Sequence, residues 1–433
     1  MKKKNIFKRN FIIISAVFIL GLIFAFGSRL IHFYLKENKK INEEGEVITT
    51  NYFSDIIENT INVSDVNGGL YLDGDDFVYK YAANENYLWY SGQMWRIMKL
   101  NADKSLTIIT DEAISLMQPK YEENNYINNF LDDFYNKLDQ EYLQEFEYCN
   151  DQIIDIKKIT CKNKQKGFVS LLDMYNYNKA GNIKSYLNNK TTFWLNNTDE
   201  NNNYWYIDDS GAVGIGTENV AHYVRPIVNI KSNINVVSGD GTKENPYIIK
   251  NLEKEKISKI LTGEYIKYNN SLWRVLNIGE SVKAIKVECL KNEEECLNHK
   301  FGYNITYLNS SIYRYLNETY FNSLDNKEFL VKDKFYVGSY TDYSLDSLKE
   351  KEVEAYIGLP KIGEYYNFSN LNSYLITPNT IETVYTINDM GNYYLVKPTT
   401  EKNIYPILNF DINLLIVNGN GTMEKPFELG RWC

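Results

Sequence analysis

Histidine is almost missing, with three in 433 residues. His32 stands at the edge of an apolar run, His222 aligns with a lysine in a second copy of its own segment, and His299 lies in an unmatched loop. None belongs to a duplicated catalytic set. His-Glu-x-x-His, Gly-x-Ser-x-Gly and a phosphate loop are absent too, which disfavours the common motif-bearing hydrolases and gives no cofactor motif. Positive charge is outweighed beyond the first forty residues, where 38 of the 47 Lys/Arg stand against 55 of the 56 Asp/Glu. The first forty hold nine Lys/Arg against Glu37, so the overall −9 leaves −17 for the remainder. So acidic a body repels phosphate backbones and anionic polymers, and nucleic acid is not expected as a partner. Neutral glycans, proteins and divalent cations stay open. Hydrophobic residues at 44% and charged residues at 24% are ordinary for folded protein, and the length suits two or three domains. The 37 tyrosines accompany many Asn, Lys and Ile residues. All share A/T-rich codons, so genome composition accounts for them before sugar binding does.

One long apolar run is present, Phe11 to Ser28, extended past Arg29 by Leu30, Ile31, Phe33 and Tyr34. It is long enough for a bilayer helix if Arg29 snorkels. Lys2, Lys3, Lys4, Lys8 and Arg9 precede it, which by the positive-inside tendency gives a single-pass cell-membrane protein with a cytoplasmic N-terminus and extracellular C-terminal domains. The rival reading is a signal peptide cut after Ala25-Phe26-Gly27. The expected layout is a tail over 1–10, a transmembrane helix over 11–34, a stalk over 35–66, and repeats over 67–252 and 256–433.

Self-similarity is the strongest signal. Tyr223 to Ile249 runs beside Asn403 to Leu429 without a gap: Pro226 meets Pro406, Asn229 meets Asn409, and Gly239, Gly241 and Pro246 meet Gly419, Gly421 and Pro426. The same register takes Trp194-Leu195 to Tyr374-Leu375 and Trp205 to Tyr385. Upstream, Trp95-Arg96 answers Trp273-Arg274, Tyr126 to Leu138 answers Ser311 to Leu324, and Val169 to Tyr177 answers Ile357 to Tyr365. A period this long means duplicated domains, since solenoid units are about 20 to 50 residues. Apolar positions Ile127, Phe130, Leu131, Phe134 and Leu138 make one helix face. Short runs such as Tyr204 to Ile207, Ile227 to Ile230 and Pro246 to Ile249 read as strands between turns. The expected class is α+β with small antiparallel sheets.

These features resemble a family of uncharacterised bacterial surface domains. Its marks are a Trp-Arg strand (Trp95-Arg96), an Ile-x-x-Tyr-Leu-Asn helix (Ile312 to Asn317), a Gly-Leu-x-x-x-x-Glu-Tyr segment (Gly358 to Tyr365), and an Arg-Pro-x-x-Asn strand before a Gly-Asp-Gly-Thr turn (Arg225-Pro226, Gly239 to Thr242). The likeness covers nearly all of residues 67–433 and brings no activity with it. More distantly, the order of elements is similar to C-type-lectin-like domains and their formylglycine-generating branch. That resemblance implies two tandem lectin-like domains, but the calcium motifs Glu-Pro-Asn and Gln-Pro-Asp are missing. Tyr405 stands where repeat one has Arg225. The copper-binding cysteine pair of the formylglycine-generating enzymes falls late in the domain and has no counterpart here.

Of five cysteines, Cys149 and Cys161 sit in repeat one and Cys289 and Cys296 in repeat two, giving one local disulfide candidate each; Cys433 is left over. Asp73-Gly74-Asp75-Asp76 lacks the spacing and distal Glu of a calcium loop and reads as a turn, so no metal site is expected. In the aromatic hairpin, alternation sends Tyr204 and Tyr206 to one face and Trp205 to the other. One face is core; the other is available to a ligand, because flat rings are efficient anchors. The expected ligand-binding set is Trp194, Asn196, Tyr204, Trp205, Arg225, Tyr374 and Tyr385. The expected function is a non-enzymatic membrane-anchored binding or adhesion module for a glycan or surface protein. The alternatives are a structural role in envelope assembly, or an enzyme using carboxylates such as Asp208, Asp209 and Glu364.

Overall fold

The computed structural model describes residues 52–60, 68–121, 124–337, 352–361, 371–379, 382–388 and 392–431, together with a short antiparallel pairing of Lys40–Ile41 with Val47–Ile48. The architecture is β-rich: strands take up 42% and helices 15%. This corrects the α+β class with small sheets. The branched and aromatic residues that composition made plentiful fill strands, as period-2 runs do, and among the described residues the longest regular α-helix, Tyr126–Lys137, has 12 residues. Such a helix is about 18 Å long at 1.5 Å per residue, well short of the roughly 30 Å of a bilayer core. Among the described residues no helix is long and apolar enough to cross a membrane. Residues 1–10 and 11–34, on which the single-pass, membrane-anchored, extracellular placement rested, lie outside the described residues. That placement is withdrawn.

Each half of the chain folds around one large sheet. In the first, the order is Val169–Leu171, Pro226–Ile230, Leu106–Thr110, Gln93–Leu100, Tyr87–Tyr90 and Tyr247–Ile248. In the second it is Ile357–Gly358, Ile407–Asp411, Ser281–Lys286, Ser271–Ile278, Tyr265–Tyr268 and Phe427–Gly430. The last pairing is parallel in both. A second sheet of five strands follows the same rule, with Phe193–Thr198 at the centre of one and Ser373–Pro378 at the centre of the other. The parallel register Phe193 to Tyr223 recurs as Ser373 to Asn403, and the bulge between Trp194 and Thr198 recurs between Tyr374 and Pro378. Bulges re-aim side chains, so duplicated bulges carry the duplicated geometry with them.

Trp95 and Trp273 are fully buried at the centres of the two cores. Each indole donates to the carbonyl five residues earlier, Tyr90 at 2.8 Å and Tyr268 at 3.1 Å, which satisfies the one polar atom a buried Trp carries. Helix Tyr126–Lys137 starts where Asn125 accepts from Asn128 N, and its counterpart starts where Ser310 accepts from Tyr313 N; both are favoured N-cap residues. Gly239 and Gly419 hold φ of 97° and 94°, a region L side chains rarely adopt, and a Cβ there would run into the carbonyls of Pro246 and Pro426. Part of the expected stalk is core instead: helix Phe53–Glu58 buries Phe53 and Ile57 in repeat one, and Phe53 N donates to Ile234 O at 2.7 Å.

Cys149 and Cys161 are bonded with Cα atoms 5.3 Å apart, and Cys289 and Cys296 with 5.6 Å. The first bridge closes the hairpin of Phe146–Cys149 and Lys164–Gly167. Replacing both Cys149 and Cys161 with serine is expected to lower the stability of repeat one by about 3 kcal/mol, the chain-entropy value for a loop of this size. Urea unfolding of the variant against the oxidised protein measures it; matching midpoints would count against a bridge that constrains the unfolded chain.

Candidate functional site

The ligand set expected from the aromatic hairpin does not form an open face. Trp194, Trp205, Arg225, Tyr374 and Tyr385 are at most 8% exposed. Trp194 Nε1 donates to Met117 O at 2.9 Å, and its ring packs against His222 at 4.4 Å and Tyr204 at 6.3 Å. Burial lowers the His222 pKa. Trp205 joins Leu195 and Ile207 on the opposite side. Alternation therefore separates the rings by face: Trp205 is core, and Tyr204 and Tyr206 are half-buried. Asn196 and Tyr204 are half-buried; the Asn196 amide donates to Cys149 O at 3.0 Å, and Tyr204 Oη accepts from Asn125 at 3.0 Å.

Arg225 is 1% exposed and serves the fold. Its Nε and Nη2 donate to Thr110 O at 3.0 and 2.8 Å, and its Nη1 donates to Leu187 O at 2.5 Å. Burial pulls its pKa down to about 10, partly opposed by Asp111. In repeat two, Tyr374 Oη donates to the carbonyls of Thr400 and Pro398, and Tyr385 Oη donates to Asn379 at 3.2 Å. Among the described residues no group of His, Cys, Asp or Glu could hold a metal ion. Asp73 instead meets Lys80 and Lys179 at 3.5 and 3.3 Å. Asp208 caps its own turn, where the Ser210 hydroxyl first, and backbone amides after it, hold its carboxyl below the usual range. Glu364 lies outside the described residues.

A cleft of about 380 Å³ opens in repeat one, between the large sheet and the disulfide-closed hairpin. Lys99, Thr107 and Asn229 come from its strands; Asn101, Asp103 and Ser105 come from the turn between two of them; Phe146, Glu147, Lys164 and Lys166 form the hairpin wall. The turn is rigid for a local reason. Asp103 accepts from both the amide and the hydroxyl of Ser105, at 3.0 and 2.6 Å, and from Gln144 at 2.7 Å. Burial pushes the Asp103 carboxyl up, but these bonds outweigh it and hold it below its ordinary value. Asn101 Nδ2 donates to Ser105 Oγ and Thr107 Oγ1 at 3.0 and 3.1 Å, and Asn229 Nδ2 to Ser105 Oγ at 3.3 Å. Lys99 meets Asp76 at 3.4 Å and Lys164 meets Glu147 at 3.2 Å along the rim.

The floor of the cleft is thus held by a hydrogen-bonded polar network, and exposed side chains of both signs line its hairpin wall. Its acidic and basic side chains nearly balance: Asp76, Asp103, Glu145 and Glu147 against Lys99, Lys164 and Lys166. Repeat two places different chemistry at the same point of the fold. Lys283 pairs across the ladder with Asn409 where repeat one has Thr107 and Asn229, and Lys283 meets Asp333 at 3.9 Å while the Ser281 hydroxyl donates to the same carboxylate. The Oδ1 atoms of Asn229 and Asn409 are both buried without a hydrogen-bond partner, so that feature belongs to the duplicated fold and not to the cleft alone. No family model, curated protein or solved structure matches the chain.

Proposed function

We propose that the protein is a non-catalytic binding module whose repeat-one cleft takes a neutral, hydroxyl-rich ligand, a glycan. The observation that carries this reading is the cleft's charge balance in a fixed polar frame. A ligand of either net charge meets like-signed side chains there, whereas a sugar hydroxyl both donates and accepts, and so suits carboxylate, amide and ammonium in turn. The volume suits one or two sugar rings, within the range of small-ligand pockets.

The test is a glycan array followed by titration calorimetry. Exchanging Glu147, Lys164 and Lys166 together for alanine removes exposed groups of the hairpin wall, and surface changes of this kind shift stability by about 0.5 kcal/mol or less each. Affinity for the array hit is expected to fall by roughly ten- to a hundredfold, the value of one or two charge-assisted hydrogen bonds. The matching exchange of Lys334, Glu352 and Glu354 on the repeat-two hairpin, Asp333–Tyr336 with Glu352–Ala355, is expected to leave it unchanged. An array without hits, or equal effects from both exchanges, would overturn the reading.

A further inference from the structure

The two repeats meet along a seam that buries a carboxyl outside the cleft. Gly92 of repeat one and Gly263 of repeat two touch backbone to backbone so closely that a Cβ on either would strike the other chain segment. Trp89 packs on Tyr265 with ring centroids 6.1 Å apart. Lys250, at the end of repeat one, donates to Asp139 at 2.6 Å and to Lys259 O at 3.4 Å. Between these contacts Glu264 is 5% exposed, its Oε2 accepting from Leu261 N at 2.7 Å. An enclosed cavity of about 20 Å³ lies against it, lined by Tyr90, Ser91, Asp139, Tyr142 and Lys250 among others. That is room for about one water.

The duplicated fold identifies what is special about this acid. Ile97 N donates to Asn86 O at 2.7 Å in repeat one, and Val275 N donates to Glu264 O at 2.8 Å in repeat two, so the two residues occupy the same position. Asn86 is neutral and fully satisfied: Arg96 Nε donates to its Oδ1 at 2.8 Å and its Nδ2 donates to Ile97 O at 2.7 Å. Repeat two puts an ionisable group there, at the point where the other repeat covers it. We propose that Glu264 is a proton-operated latch between the repeats: the neutral acid holds the seam shut, and the ionised form draws water in and loosens it.

The groups facing Glu264 fix the sign. Asp139 and the phenols of Tyr90 and Tyr142 come from repeat one and Lys250 from the connecting segment, while Arg274 of the neighbouring strand turns to the Tyr265 ring, 5.6 Å away, its Nε donating to Gly263 O at 3.3 Å. Asp139 and Lys250 are spent on each other. Burial first, then the Asp139 charge, raises the Glu264 carboxyl from 4.5 to about 7, against opposing bonds from Leu261 and the Lys250 charge. A carboxyl raised in the closed seam favours closure fully below its ordinary value and loses that contribution as pH climbs through the raised one. The gap between the two values corresponds to roughly a hundredfold change in seam opening.

Hydrogen exchange on the full chain between pH 5 and 8.5, corrected for intrinsic rates, reads this directly. Protection of the amides at Leu261 and Gly263 is expected to fall by roughly a hundredfold across that range in the unaltered protein and to stay flat in Glu264→Gln. Strand Pro226–Ile230 serves as the internal control. His222 is unchanged in the variant, so its own titration cancels in the comparison. A flat profile in the unaltered protein, or the same slope in Glu264→Gln, would overturn the latch. Should Glu264→Gln fail to fold, carbon-13 titration of the Glu264 carboxyl in the unaltered chain decides: a midpoint near 7 supports the proposal and one below 5 removes it.

Discussion

Replacing Arg225 with methionine is expected to destabilise repeat one by about 3–5 kcal/mol, among the largest single-site effects in the molecule. Methionine nearly matches the arginine stem in volume, so little cavity is created and the polar loss is isolated. That loss has two parts. The carbonyls of Thr110 and Leu187 lose the guanidinium donors that reach them inside the protein, and a stranded buried acceptor costs about 1–3 kcal/mol. Asp111, whose charge favours the ionised guanidinium, keeps only Arg96 at 3.5 Å and Lys243 at 3.3 Å. Arg225→Lys is expected to fail similarly, because an ammonium is one point charge and cannot serve two carbonyls with a planar fork. Urea unfolding followed by near-ultraviolet circular dichroism measures both. A loss under about 1 kcal/mol would mean that desolvating the guanidinium already cancels its hydrogen bonds.

Arg225 also shows where sequence reading stops. Arg-Pro before a strand was legible as a family mark, but whether an arginine faces solvent or two carbonyls depends on segments 38 and 115 residues away. The duplication was legible because glycine and proline at turns tolerate little substitution: Gly239, Gly241 and Pro246 keep their spacing in repeat two, and their backbone angles explain why. The burial of Trp95 and Trp273 follows from the apolar strands in which they sit. The extent of β structure was less legible, since turns break the chain into strands of two to eight residues that resemble loops one at a time. Alternation in Tyr204-Trp205-Tyr206 separates two faces but does not reveal how far each is covered, Trp205 being buried and the two tyrosines half-buried. The cleft was invisible for the same reason. Its walls come from Asp76, the 99–107 turn, the 145–166 hairpin and Asn229, and no local pattern joins them; the match of Asn229 to Asn409 was the one signal on the page, and it served as a register mark.

Trp95→Ala and Trp273→Ala form a matched pair, each expected to cost about 3–5 kcal/mol as a large buried aromatic is lost and a cavity remains. Both indoles are fully buried, both bond to the carbonyl five residues back, and both pack on the preceding tyrosine, at 5.9 and 6.4 Å. Equal environments predict equal losses. What they do to the rest of the chain depends on the seam, which contains a buried carboxyl, a water-sized cavity and an ion pair. An interface in which these polar groups interrupt apolar contacts from Ile249, Leu252, Leu261 and Phe427 transmits less stability than a continuous apolar core. Each substitution is therefore expected to lower the protection of its own large sheet and to leave the other repeat's protection nearly unchanged. Hydrogen exchange in strands Leu106–Thr110 and Ser281–Lys286 reads the two repeats separately in one sample. Equal loss in both strands from either substitution would make the chain a single cooperative unit, with the seam as strong as the cores it joins.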